Sequence, residues 1–262
     1  MIEDATFQDP DLPPLYSPTA LRADQDPFAE AVGRAQAGDP AGTFLWSRRS
    51  DCIDLAVVLE PDHSREQSLP VCLVVMVAMV EALGGVVPPS IAVTFGWPDR
   101  IDVNGAFAGG LRLAVASCES AGDVPDWMVI AITIAVSGDL GDVSPGLKPD
   151  RTTLFDEGCG LIDIVDFMER FGRHFLHWIN RWQEDGLAPV RLAWLARESG
   201  FGEATGIYFN HQRIAGRLVA LDDLGGAVLD IDGAQRVFPL DTALHPGSWS
   251  LDDLSLARHA VP

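Results

Sequence analysis

A chain of 262 residues holds one large domain, or one ordinary domain with a small appendage. A hydrophobic content of 47% with seven tryptophans excludes a disordered protein. A formal charge of −20, from 18 basic against 38 acidic residues, excludes a nucleic-acid partner, because phosphates demand a basic surface.

Residues 1–25 are acidic and proline-rich and read as an extended arm, with Pro10, Pro13, Pro14 and Pro18 restricting the backbone. The start lacks the basic residues and apolar stretch of a signal peptide. A short helix is predicted from Pro27 to Ala37, with proline at its first position and Gly38 after its end. The β-branched and apolar runs 43–49 and 53–61 read as paired strands. A long apolar helix follows from Ser64 to Leu83, stopped by Gly84-Gly85. Its apolar run, Leu69 to Val80, is too short to span a bilayer, so no membrane partner is expected.

The stretch 91–95 reads as a strand, and Asn104-Gly105 joins two apolar runs as a hairpin. Residues 127–136 are continuously apolar, the mark of a strand buried on both faces. A polar Gly/Pro loop at 137–150 holds Lys148, the single lysine of the chain. A helix from Asp163 to Asp185 shows Ile164, Met168, Phe171, Phe175, Ile179 and Trp182 along one stripe, a core face. A shorter helix covers Pro189 to Arg197, and from Gly200 several short strands with Asp/Gly reversals suggest a small β-barrel. The cysteines (Cys52, Cys72, Cys118, Cys159) lack metal-ligand spacing and fit a reducing compartment, so a soluble, cytoplasmic protein is expected. His174 and His177 have i, i+3 spacing without a third ligand and read as ordinary helix histidines.

This order of elements resembles the biotin/lipoate protein ligase and octanoyltransferase superfamily. The resemblance rests on Trp97-Pro98-Asp99, Val103-Asn104-Gly105, Gly109-Gly110-Leu111, the strand Val129 to Ile134, Thr152-Thr153-Leu154, Glu157-Gly158, and Ile214 through Leu229. It implies an α+β fold like that of the class II synthetases: a mixed sheet flanked by helices, with a small C-terminal SH3-like β-barrel. The expected organisation is an arm (1–25), a ligase-like domain (26–200), the barrel (201–245) and a tail (246–262). The high acidity opposes an appended DNA-binding module.

The resemblance also implies chemistry: a carboxylic acid attacks the α-phosphate of ATP, with magnesium, and the acyl group passes to a lysine of a carrier domain. The developing charge requires fixed cations. Family members supply them with a Gly/Arg loop, a lysine before the tryptophan and a lysine on the hairpin. Here the loop is reduced to Arg48-Arg49-Ser50-Asp51-Cys52, Gly96 precedes Trp97, Asp99-Arg100 replaces Asn-Asp, and Phe107 takes the hairpin lysine's place.

Arg100 and Arg112 are the candidates to restore charge, Arg112 as a catalytic residue, since arginine grips carboxylate or phosphate in bidentate fashion, and both could equally lie on the surface; Arg48, Arg49 and Arg100 are substrate-binding candidates. Gly109-Gly110 allows close approach of a flat ring or acyl chain, or forms a β-bulge. Trp97, Asp99 and Phe107 join them as substrate-binding candidates, although large aromatics are commonly core. Cys159 is the thioester candidate of an acyltransferase, or a small residue in a tight turn. The expected ligand is a biotin-, lipoate- or acyl-type acid, bound by an enzyme or by a non-catalytic scaffold. The partner would be a biotinyl, lipoyl or acyl carrier domain, steered by Arg170, Arg173, Arg181, Arg191 and Arg197 unless these pair with nearby glutamates.

Overall fold

A computed structural model describes residues 7–118, 120, 122–138, 150–209 and 212–252; most of the predicted polar loop, with Lys148, lies outside them. The chain runs β1 (Ser17–Leu21), α1 (Pro27–Ala37), β2 (Thr43–Ser47), β3 (Cys52–Leu59), α2 (Arg65–Ser68), α3 (Val71–Leu83), β4 (Val93–Gly96), β5 (Arg100–Val103), β6 (Ala106–Val115) and β7 (Met128–Ala135). It continues with α4 (Ile164–Asp185), α5 (Ala188–Leu195), five short strands β8 (Ile207–Phe209), β9 (Gln212–Ile214), β10 (Arg217–Leu221), β11 (Ala227–Ile231) and β12 (Ala234–Phe238), and α6 (Leu240–Ala243). A 3-10 turn at Ser250–Asp252 closes the described part.

Seven strands form a mixed sheet in the order β1-β2-β3-β7-β6-β5-β4, antiparallel except where β1 runs parallel to β2. The segment 17–21, expected as part of an arm, is thus the edge of the sheet. Its backbone finds partners only across the chain, which no local pattern announces. The other signals act as expected. Asp26 caps α1, accepting from the Phe28 amide at 3.0 Å, and Gly38 ends the helix in the left-handed region at φ 94°. Asn104 and Gly105 take φ of 49° and 85°, the positive values that a tight hairpin requires.

The predicted helix over 64–83 is broken in two. Pro70 has no amide proton, and α3 begins immediately after it. By length and composition Arg65–Leu83 could cross a membrane, but 83% of its 18-residue apolar window is buried inside the fold as the core helix.

The sheet separates two layers. On one side β7 presents Ile130, Ile132 and Ile134 to α3 and α4, where Phe167, Phe171 and Phe175 stack with ring centroids 6.2 and 5.4 Å apart. On the other side Val129 and Ala131 pack with Leu45 and Ala56 under Phe28, Ala31 and Ala35 of α1. After α5, the chain forms a three-stranded antiparallel sheet, β10-β11-β12, and the β8-β9 ladder, the small sheets of an SH3-like unit. Trp97 fastens this unit: its indole donates to the Gly225 carbonyl at 2.9 Å and its ring stacks on Phe209.

Candidate functional site

Strand pairing puts one residue from each of four neighbouring strands in a row. Arg100 (β5) lies opposite Gly110 (β6), Gly110 opposite Thr133 (β7), and Thr133 opposite Asp54 (β3). Paired residues point to the same face, so this row lies on the α1 side with Arg112 two residues beyond Gly110. Polar groups therefore interrupt an otherwise apolar face. The Thr133 hydroxyl donates to Asp54 at 3.0 Å, and the Arg112 guanidinium grips Asp26 through two hydrogen bonds of 2.9 and 3.0 Å. Asp54 lies 4.0 Å from the same guanidinium, which also sits 4.7 Å above the Phe28 ring. Asp26 thus caps α1 and anchors Arg112 together.

At the hairpin end of the row, the Arg100 guanidinium lies 4.4 Å over the Phe107 ring. Phe107 is the position at which the sequence resemblance expects a lysine, and Arg100 of the adjacent strand brings a guanidinium over its ring. Gly96 is part of the same adjustment: a Cβ there would come within 3.2 Å of Arg100 Cβ and Cδ, so glycine lets the arginine lie flat. Asp102 holds Arg100 Nε at 2.7 Å and its carboxyl is pushed up by burial, with Arg100 opposing. Glu198, whose Oε2 is buried with no partner, is pushed up to about 7 by burial and then by Asp102.

Asp99 is wholly buried and held by the C-terminal segment. Its oxygens accept from the Ser250 amide at 2.8 Å and hydroxyl at 2.7 Å. Burial pushes its carboxyl up to about 6 despite those two donors. The next residue, Leu251, lies over Gly110, where a Cβ would meet Leu251 Cγ at 3.2 Å and the Asp99 carbonyl at 2.9 Å. Trp249 packs edge-on against Phe28 at 5.4 Å, with its indole nitrogen buried and unpartnered. Residues 249–251 thus form a strap across the middle of the polar row. The sequence read 246–262 as a tail; the strap is visible only in three dimensions.

Other predicted residues are distributed around this face. Arg49 is buried and doubly bonded to Asp51 at 2.8 and 2.7 Å, which closes the short β2–β3 turn. At the same end, Arg48 Nε and Ser47 Oγ are buried without partners. Gly109 is structural, because a Cβ there would overlap the Thr133 carbonyl next to the register shift between Ile101 and Asp102. Cys159 belongs to the segment whose Thr152 amide bonds to the Phe107 carbonyl and whose Glu157 accepts from Asn104. Burial and then the Glu157 charge push its thiol up, so it is not activated as a thiolate.

Three of the five helix arginines are paired with acidic side chains, and Arg197 bonds the Ala193 carbonyl at 3.5 Å. Arg170 binds Asp166 at 2.9 Å, Arg181 binds Asp185 at 3.6 Å and Arg191 binds Asp223 at 2.8 Å. The partners are aspartates, two of them at i, i+4 spacing, while Glu169 accepts from the Asp11 amide. His174 sits 3.0 Å from Glu81, which also accepts from Trp178.

Asp26, Asp54, Thr133 and Ser250 escaped the sequence reading. An aspartate inside the apolar run Ile53–Leu59 was the available signal for Asp54, and Asp-Pro at a helix start for Asp26.

Comparison with known proteins agrees with this architecture. The model of the Biotin/lipoate A/B protein ligase family matches residues 12–196. A Biotin--[acetyl-CoA-carboxylase] ligase of Paracoccus denitrificans is 28% identical over 208 residues, 76% of this chain and 79% of that protein. A biotin protein ligase-like protein of unknown function from Silicibacter superposes with a TM-score of 0.79 at 31% identity, covering 90% of this chain and 99% of its own. The biotin protein ligase of Aquifex aeolicus in complex with biotin and ATP shares the fold, with a TM-score of 0.69 at 15% identity over 89% and 97% of the two chains. The matched region spans the whole seven-stranded sheet and runs through α5, stopping before the short C-terminal strands, and the chain belongs to the Biotin/lipoate A/B protein ligase family.

Proposed function

We propose that this protein binds a small carboxylic acid of the biotin, lipoate or medium-chain acyl type on the α1 side of β5 and β6. The observation that carries the reading is Arg100 lying over Phe107, a fixed cation beside the glycine-lined stretch of β6. Arginine stays protonated and offers several donors, so it can hold a carboxylate while Asp102 fixes its Nε. Arg48 and Ser47 supply buried donors at the β2 end that suit the phosphates of ATP; ATP, with magnesium, would activate the acid as an adenylate. A biotinyl, lipoyl or acyl carrier domain is the matching acceptor, as the carboxylase is for the Paracoccus ligase.

A second reading, a non-catalytic binding protein, is favoured by the engagement of Arg49 and Arg112 with carboxylates and by the strap over Gly110. An acyltransferase acting through Cys159 lacks a depressed thiol pKa.

ATP–pyrophosphate exchange with biotin, lipoate and octanoate in turn tests the proposal, alongside calorimetric binding of each acid. Exchange with one acid, abolished in Arg100→Ala at unchanged stability, supports the ligase. Binding of an acid without exchange supports the non-catalytic reading. An absence of both, or acid binding indifferent to Arg100→Ala, overturns the proposed site. Mass increase on incubation with octanoyl thioester, lost in Cys159→Ser, would install the acyltransferase in its place.

A further inference from the structure

At the opposite end of the sheet from Arg48, a cavity of about 590 Å³ opens between the β3–α2 connection, the last turn of α4 and the β10–β11 turn. Its volume falls in the range of small-molecule pockets, and no part of the acid site reaches it. The walls are apolar: Leu59, Val71, Met128, Ile179, Trp182 and Leu187. The rim carries Glu60, Asp62 and Asp223, and no lysine or arginine is among the lining residues.

The α4 helix adds to this polarity. It runs 22 residues and ends at the cavity with no basic residue in its last turn. Among the described residues, no later backbone N–H turns back onto its final carbonyls at Gly186. Its C-terminal end therefore contributes partial negative charge. The nearby cations are already engaged: Arg191 with Asp223 and with the Leu221 carbonyl, and Arg181 with Asp185. His63 is held by Asp62.

We infer that this cavity is a second binding site, for an organic cation with an apolar body, such as an alkyl- or arylammonium. The apolar walls remove the hydrocarbon from water, Trp182 offers an aromatic face, and Glu60 and Asp62 with the helix end select positive charge, Asp223 being neutralised by Arg191. A carboxylic acid is rejected by the same charges, so the two sites take ligands of opposite sign.

Calorimetric titration at physiological ionic strength tests the inference with octyltrimethylammonium, octanoate and octanol, which share a chain and differ in charge. The ammonium is expected to bind saturably at one site, at least tenfold tighter than the other two. Gln183→Arg and Gln67→Arg, exposed substitutions on two walls, should each weaken it at least tenfold. Glu203→Arg, a larger charge change on the distant 201–206 turn, should alter it less than twofold. Ammonium binding no tighter than octanol overturns the inference, and so does an equal loss in all three variants, which would mean attraction to the net charge alone. Failure of the acid-binding experiment leaves this outcome untouched, because the two sites share no residue.

Discussion

The α3–α4 side and the α1 side of the sheet are built from the same strands but carry different loads. On the first, Ile130, Ile132, Ile134 and the stacked phenylalanines of α4 leave scarcely a polar atom. On the second, Asp54, Thr133, Arg112 and Asp26 form a buried polar row beside valines and alanines, with Asp99 held by Ser250 at its edge. Apolar burial is insensitive to direction and gives most of the stability. Buried polar groups stabilise little unless fully satisfied, and are costly to disturb. Most of the stability of this chain is therefore expected from one face, and its polar candidates lie on the other.

The largest expected effect belongs to the apolar face. Phe171→Ala, at a wholly buried position between two rings, should cost about 3–5 kcal/mol in urea unfolding. Acid affinity should persist wherever the variant remains folded. A loss below about 1 kcal/mol would break the assignment of stability to this face.

On the polar face, Arg112→Met should cost about 3 kcal/mol, the lower end for a broken buried pair because both partners keep slight solvent access. Adding Asp26→Asn, which retains a capping oxygen, should recover part of that loss. A simple sum of the two single effects would show that the pair is not coupled.

Asp99 gives the comparison a pH dependence. Its folded value, about 6, stands above the unfolded 3.8, so the fold favours its protonated form. The resulting stability is complete below the unfolded value and is lost as pH rises through about 6. A two-unit shift corresponds to about 2–3 kcal/mol between pH 4 and pH 7. Glu198, raised to about 7, acts in the same direction with a smaller effect because it is partly exposed. Unfolding at a series of pH values should give a flatter profile for Asp99→Asn than for the parent; parallel profiles would remove Asp99 as the source.

The smallest change should be the most specific. Gly96→Ala presses only on the flexible Arg100 side chain, at a stability cost of about 1 kcal/mol. It should nonetheless weaken acid binding by lifting the guanidinium from Phe107. Unchanged acid affinity would separate Arg100 from the ligand.

Much of the fold was readable because its signals are local. Pro27 and Gly38 bound α1, Asn104-Gly105 reverses the hairpin, and the unbroken apolar run of β7 requires cover on both faces. Less of the site was readable. Arg100 and Phe107 were singled out separately, but their stacking depends on the pairing of β5 with β6 and on a register shift that no periodicity reports. Trp97 was read as a substrate-binding or core residue; its hydrogen bond to the C-terminal unit at Gly225, 128 residues away, was not legible.

By itself the sequence determined most of the order of the elements, the family resemblance and the chain's single lysine, since each is a matter of local pattern or residue identity. Only the tertiary structure decided that β1 completes the sheet, that Asp26 reaches Arg112 across 86 residues, and that Ser250 reaches Asp99 across 151. Contacts between distant segments depend on how whole layers pack. A polar residue's partner is chosen by whatever that packing brings within about 3 Å, which no stretch of sequence encodes alone.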